Sequence, residues 1–247
     1  MSGQGIDDEA AERPTSSPAP AADPATEPVP ADDHLGYERL IFFSDAVFAI
    51  AITLLIIEVR LPALPDDASD TDLIAGLRAT VPAVFAYVLS FATIGLYWLA
   101  HWRRFRYIAR VDYRLVAYNL VLLGLIAFIP FPTAVLGEHG DLASAVILYA
   151  VALSAAGLAG PLTWLYAWRA GLTVPGVTSR YAMLTASRGF SVPVVMLGSL
   201  LFLPVLGTTA VETIWLLIAP AQILLDRLGR GRDRQEASAD RREPASR

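Results

Sequence analysis

The sequence predicts an all-α integral membrane protein with six transmembrane helices per subunit and both termini in the cytoplasm. Three observations predict it. Of the 247 residues, 55% are hydrophobic and only 17% charged, whereas a soluble domain carries about 25% charged residues. Six apolar runs follow Tyr37, at Leu40–Val59, Val81–Ala100, Leu115–Leu136, Leu142–Trp164, Phe190–Leu206 and Val211–Leu225, most of them near the ~20 residues a helix needs to span. Positive charge alternates between the loops that join them.

Residues 1–36 hold six prolines (Pro14, Pro18, Pro20, Pro24, Pro28 and Pro30) among alanines and acids. Such a segment cannot bury enough apolar surface to offset the entropy of ordering it. It also lacks the basic start and apolar centre of a secretory signal. It reads as a disordered cytoplasmic tail. The transmembrane domain then covers residues 37–228, and residues 229–247 form a second charged tail. Its signs alternate, which suits a solvated segment whose basic part can touch anionic headgroups.

The loops set the orientation. HWRRFRYIARVDYR, between the second and third runs, carries Arg103, Arg104, Arg106, Arg110 and Arg114, and the loop after the fourth run carries Arg169, Arg180 and Arg188. PALPDDASDTD after the first run is acidic, and GEHGDLAS after the third has no Arg. Arginine excess marks the cytoplasmic side. The last two runs are short, and Pro193, Pro204 and Pro220 are expected to kink or end helices there.

Much chemistry is excluded. There is no Cys, so disulfides, thiolate metal sites and cysteine nucleophiles are absent. Three histidines (His34, His101, His139) are too few and scattered for a metal cluster. HExxH, phosphate-binding glycine patterns and GxSxG are missing. The chain is not expected to be an enzyme or to hold a cofactor or metal. The Arg-rich loop lies between two spans, which favours membrane topology over nucleic acid as its explanation.

The first run, RLIFFSDAVFAIAITLLIIEV, sets Ser44 and Asp45 inside a greasy segment. Helical positions advance by about 100°. With Ile50 at zero, Ala46, Leu54 and Ile57 fall within about 40° of it and Thr53 near −60°. Asp45 falls near −140° and Ser44 near +120°, on the other half of the cylinder. The carboxylate and the Ile/Leu stripe therefore face different surroundings. An ionisable residue at this depth normally faces protein and has a partner. Candidates at the same level are Arg39, Trp98 and His101 (three residues apart on one face), and Asn119. A helix cap with interfacial aromatic anchors would also explain the polar pair. An Ile/Leu face ordinarily meets lipid or a neighbouring helix. In a symmetric oligomer it would instead make hydrophobic rings that gate by dewetting.

RLIFFSD, from Arg39 through Phe43 and Ser44 to Asp45, resembles the RxxxFSD motif of the transmembrane protein 175 family of potassium channels. The likeness continues through AVFAIAITLL, SFATIGLYWLAHWRRF and DYRLVAYNLVLLGLIAFIPFPTAVLGE. It is dense over residues 37–138, and beyond them only the hydropathy is family-like. The resemblance implies a homotetramer of six-helix subunits in the plasma membrane. In it the first helix lines a central pore for K+ and other monovalent cations, with no filter loop. It places the narrowest ring at Ile50, further apolar layers at Leu54 and Ile57, and a small polar position at Thr53. It also places Arg39, Phe43, Ser44, Asp45, Trp98, His101 and Asn119 in a structural polar network. One departure is clear: many relatives carry a second His where this chain has Trp102. Two other readings compete. One is a proton channel or proton-coupled transporter using Asp45 and His101; the other is a non-conducting scaffold.

Overall fold

The computed structural model describes residues 31–216. Both tails, apart from residues 31–36, lie outside them, as does the second half of the sixth apolar run. The described chain is helical: α1 (Ala31–Leu54), α2 (Asp70–Ala79), α3 (Val81–Phe105), α4 (Tyr113–Phe128), α5 (Pro130–His139), α6 (Ala143–Arg169), α7 (Ser179–Leu200) and α8 (Leu203–Leu216). A 3₁₀ turn, Leu55–Glu58, finishes α1.

Among the described residues, five helical stretches are long and apolar enough to cross a membrane: Gly36–Glu58, Val81–Phe105, Tyr113–His139, Ala143–Arg169 and Ser179–Leu200. The first four match the first four runs in the sequence. The third is α4 and α5 end to end, interrupted at Ile129 and restarted by Pro130 at a first-turn position, where its missing N–H costs nothing. The helix of the first run begins at Ala31, inside the segment read as tail.

The fifth stretch departs from the sequence reading. It starts at Ser179 rather than Phe190 and ends at Leu200 rather than Leu206. Arg180 and Arg188 lower the apolarity of its first three turns and hide them from a hydropathy window. Those turns form because Thr178 caps them, its Oγ1 accepting from the Tyr181 N–H at 3.3 Å, and because Ala182 and Ala186 bury against α6. The next helix, α8, is shorter and breaks at Gly207, whose φ is 77°. That left-handed geometry favours glycine.

The acidic loop after α1 contains a helix the hydropathy did not foresee. Ser69 and Asp72 form a reciprocal capping box at the start of α2, satisfying two orphan donors. The opposite ends of the helices carry the two Arg-rich loops. There the α3–α4 and α6–α7 loops join through backbone bonds, Ala109 N–H to Leu172 O at 2.8 Å and Val174 N–H to Tyr107 O at 2.9 Å. Both Arg-bearing loops thus share one end of the bundle. Asp112 caps α4 through the Leu115 N–H at 2.7 Å and accepts from the Tyr166 hydroxyl at 2.5 Å, tying α4 to α6.

The core lies where α3, α4, α5 and α6 converge under α1, around Phe48, Leu55, Ile94, Ile126, Val146, Tyr149 and Leu153. Several polar groups inside it pair with one another, as an apolar surrounding favours. Ser90 Oγ lies 2.8 Å from Thr133 Oγ1 and 3.0 Å from Tyr149 Oη, and the Tyr97 hydroxyl donates to Leu153 O at 2.8 Å. Helices α6 and α7 interlock through small residues facing prolines. A Cβ at Gly157 would meet Pro193 Cγ at 2.8 Å, and one at Gly189 would meet Pro161 Cβ at 3.1 Å. Close approach through small residues is the usual means of joining membrane helices.

Helices α5 and α3 approach closely enough that a Cβ at Gly137 would lie 2.9 Å from Ala83 Cα. Gly137→Ala should therefore cost about 1–3 kcal/mol through overpacking. Scanning fluorimetry in detergent should give a lower melting temperature for it, and no loss for Gly124→Ala, which meets nothing within 4 Å.

Candidate functional site

Helix α1 presents two faces with different chemistry. Its inward face is Leu40, Ser44, Phe48, Ala51 and Leu55, all buried, recurring at the three- and four-residue spacing of one helical stripe. Ser44 sits in the middle of that face. It is held by a directional chain of hydrogen bonds. Ser44 Oγ donates to Leu40 O at 2.7 Å and accepts from Asn119 Nδ2 at 2.9 Å. Asn119 Oδ1 lies 3.0 Å from His101 Nε2. Because the Asn119 oxygen can only accept, Nε2 carries the imidazole proton. Each proton in the chain then has one acceptor, and the chain ends on a backbone carbonyl. The imidazole is further fixed by stacking on Phe105 at 4.1 Å between centroids and by tilted contact with Phe48 at 5.5 Å. The Phe105 carbonyl in turn accepts from the Tyr37 hydroxyl at 2.6 Å, joining the end of α3 to α1 a second time.

Asp45 belongs to a separate, more exposed pair. Trp98 Nε1–H donates to Asp45 Oδ1 at 2.8 Å. Although Trp98 and His101 sit three apart on α3, Trp98 reaches the edge of α1 while His101 reaches its buried face. Arg39 and Phe43 are exposed, and among the described residues no hydrogen bond or ion pair links Arg39 to Asp45 or to the Ser44 chain. The structure thus brings Ser44, Asn119 and His101 together, pairs Asp45 with Trp98, and leaves Arg39 and Phe43 outside both sets. Trp102 points outward with the Arg106 guanidinium 4.9 Å from its ring centroid.

The outward face of α1 carries the apolar stripe. Ile50 is 57% exposed, Leu54 41% and Ile57 55%, and Thr53 lies among them, its hydroxyl donating to Ile50 O at 2.9 Å. Here the 3₁₀ turn matters. An uninterrupted α-helix would set Ile57 about 60° away from Leu54. A 3₁₀ turn advances about 120° per residue instead of about 100°, and over Leu55–Glu58 this turns Ile57 toward the Leu54 row. Phe48 and the 3₁₀ turn were not foreseen as parts of this region. Phe48 was within reach of the sequence, since it lies one turn from Ser44 on the same face. The turn carries no Pro or Gly to signal it. Among the described residues no group of three or more His, Asp or Glu side chains could hold a metal ion.

Residues 39–130, which span the polar chain, the Asp45–Trp98 pair and the stripe, match the family described as endosomal/lysosomal potassium channel TMEM175. A potassium channel of Streptomyces collinus is 40% identical over 155 residues, 61% of this chain and 74% of that protein. The chain belongs to the TMEM175 family. A solved structure of a lysosomal potassium-selective channel TMEM175 homolog from Chamaesiphon minutus superposes with a TM-score of 0.66 at 28% identity, covering 76% of this chain and 97% of that one. The human endosomal/lysosomal proton channel TMEM175 is 36% identical over 101 residues, which are 39% of this chain and 20% of the human one. These relatives are named as ion channels, not enzymes. The fold is that of a multi-pass TMEM175 membrane protein.

Loss of Asn119 would leave the His101 Nε2–H without its acceptor and take a donor from Ser44 Oγ. Asn119→Ala should destabilise the protein by about 1–3 kcal/mol, the cost of buried polar groups left unmatched. Ser44→Ala removes one acceptor and should cost less. Thermal melting of the two variants in one detergent measures the order.

Proposed function

We propose that this chain forms a potassium-conducting cation channel, a homotetramer whose pore is made by α1 of each subunit. In this reading Ile50, Leu54 and Ile57 form the hydrophobic constriction that acts as gate and filter, and Thr53 is the polar position beside it. The observation that carries the reading is the exposed apolar stripe on the face of α1 turned away from its own subunit. Membership of a family whose bacterial relatives are named potassium channels supports it. The channel sits in the plasma membrane with both termini in the cytoplasm, an orientation supported by the two Arg-bearing loops meeting at one end of the bundle.

The physics is simple. Four copies of Ile50 around an axis offer no ligands to an ion, so a narrow ring expels water and closes by dewetting. When it is wet, an ion must pass with little help from the wall. K+ releases its hydration water at lower cost than Na+, which favours K+ without a carbonyl filter. Because the Thr53 proton is committed to Ile50 O, the hydroxyl oxygen keeps lone pairs for a hydrated cation.

The proton reading draws on the name of the human relative and on Asp45 and His101. Two features favour a structural role instead. The Asn119 amide stands between His101 and Ser44, and an amide is a poor relay for protons. The Asp45 partner is an indole N–H, which donates a hydrogen bond without releasing its proton. The polar residues are then read as a lock that orients α1.

Ion flux into liposomes tests both. Ile50→Asn should raise potassium flux by on the order of tenfold and erode preference for K+, since a polar ring stays wet at a barrier about 1.4 kcal/mol lower. Flux unchanged by this substitution would remove Ile50 as the constriction. Asp45→Asn keeps an acceptor for Trp98 and should leave potassium flux intact; selective loss of proton flux in that variant would establish the alternative.

A further inference from the structure

A second feature lies at the Arg-rich end of the bundle, far from the α1 stripe. A cavity of about 130 Å³ opens between α3, α6 and α7, and three arginines line it: Arg103, Arg104 and Arg188. Tyr181 and Thr185 add two hydroxyls, and among the described residues no Asp or Glu lines the cavity. Deeper in, Tyr97, Leu122 and Val192 make its floor largely apolar.

Arg104 is the unusual member. It is only 8% exposed, and among the described residues its guanidinium has neither a hydrogen bond nor an ion pair. A buried charge without a partner is expensive and normally finds an anion. The backbone has been cut away to admit it. A Cβ at Gly160 of α6 would lie 2.5 Å from Arg104 Nη1, and one at Gly189 of α7 would crowd Nη2 as closely. The guanidinium is thus seated between two glycines, held toward the cavity by the same α6–α7 interlock that pairs Gly189 with Pro161. Arg188 is exposed at the cavity mouth. Arg103 donates to Leu99 O at 3.2 Å through Nε, which anchors its stem on α3.

We propose that this cavity is a binding site for a phosphate group with net negative charge, either an anionic phospholipid headgroup or a soluble phosphate. Planar guanidinium groups bind phosphate oxygens in bidentate fashion, and Tyr181 and Thr185 supply neutral donors beside them. The level of the site, at the end of three membrane helices, is where headgroups lie, and basic pockets between such helices take anionic lipids. The apolar floor suits the glyceride part of a lipid.

Calorimetric titration of the purified protein in a neutral detergent tests this with short-chain phosphatidylglycerol, short-chain phosphatidylcholine and inorganic phosphate. Phosphatidylglycerol should bind saturably, and phosphatidylcholine much more weakly, because its choline cation meets the same arginines. Arg104→Gln should weaken binding by about tenfold or more. Arg188→Gln, at an exposed position that does not endanger folding, should weaken it severalfold. Saturable binding of phosphatidylglycerol with no response to phosphate identifies the lipid as the source. Phosphate binding as tightly as the lipid, and equally sensitive to Arg188→Gln, identifies a soluble anion. Absence of binding by both anions, or binding that neither variant changes, overturns the proposal.

Discussion

The arrangement of this subunit depends on one constraint: a polar group placed inside a membrane helix must find its partner inside the protein. Ser44 meets it through Asn119 and His101, and the chain closes on Leu40 O. Three helices are registered by that chain, since its members come from α1, α4 and α3. Rotating α1 by one residue would turn Ser44 out of reach and bury Asp45 in its place. The chain therefore fixes which face of α1 looks inward and, by exclusion, which apolar face looks outward. Phe48, Ala51 and Leu55 continue the inward face, so packing and hydrogen bonding agree on one rotation.

The greasy half of α1 becomes interesting because it is left over. A lone subunit has no use for Ile50, Leu54 and Ile57 pointing away from its core, and lipid would accept them without complaint. In the proposed tetramer they acquire a role that depends on the lock behind them. A constriction made of side chains is only as narrow as the rotation of the helix that carries it. The lock and the proposed gate are then two faces of one device, with the charged residue of the motif serving neither directly: Asp45 is satisfied by Trp98 at the edge.

Much of this was legible from residue order. The first four spans, the shared end of the two Arg-rich loops and the separation of Ser44 from the Ile/Leu stripe follow from hydropathy, loop charge and a helical wheel. The wheel did not separate Ser44 from Asp45, because both fall on the far half of the cylinder and only the packing of α3 and α4 says where the buried face is centred. The 3₁₀ turn under Ile57, made of Leu, Ile and Glu, has no local signature that a helical wheel could use. The start of α7 was hidden by Arg180 and Arg188, which a hydropathy window penalises even when they sit at the end of a span. Arg104 was read only as one of several topology-setting arginines. Its burial depends on Gly160 and Gly189, residues remote in sequence, so nothing local could reveal it.

In the proposed tetramer the Ile50 face of α1 meets its own symmetry mates around an axis. The absence of cysteine from the chain makes a direct measurement straightforward: Ile50→Cys is the sole thiol in its variant. Oxidation of that variant in native membranes should give disulfide-linked dimers in high yield, whereas Val121→Cys, exposed on α4, should give few. An Ile50→Cys variant that stays monomeric and reacts with a lipid-soluble thiol reagent would place the stripe against lipid and contradict the account.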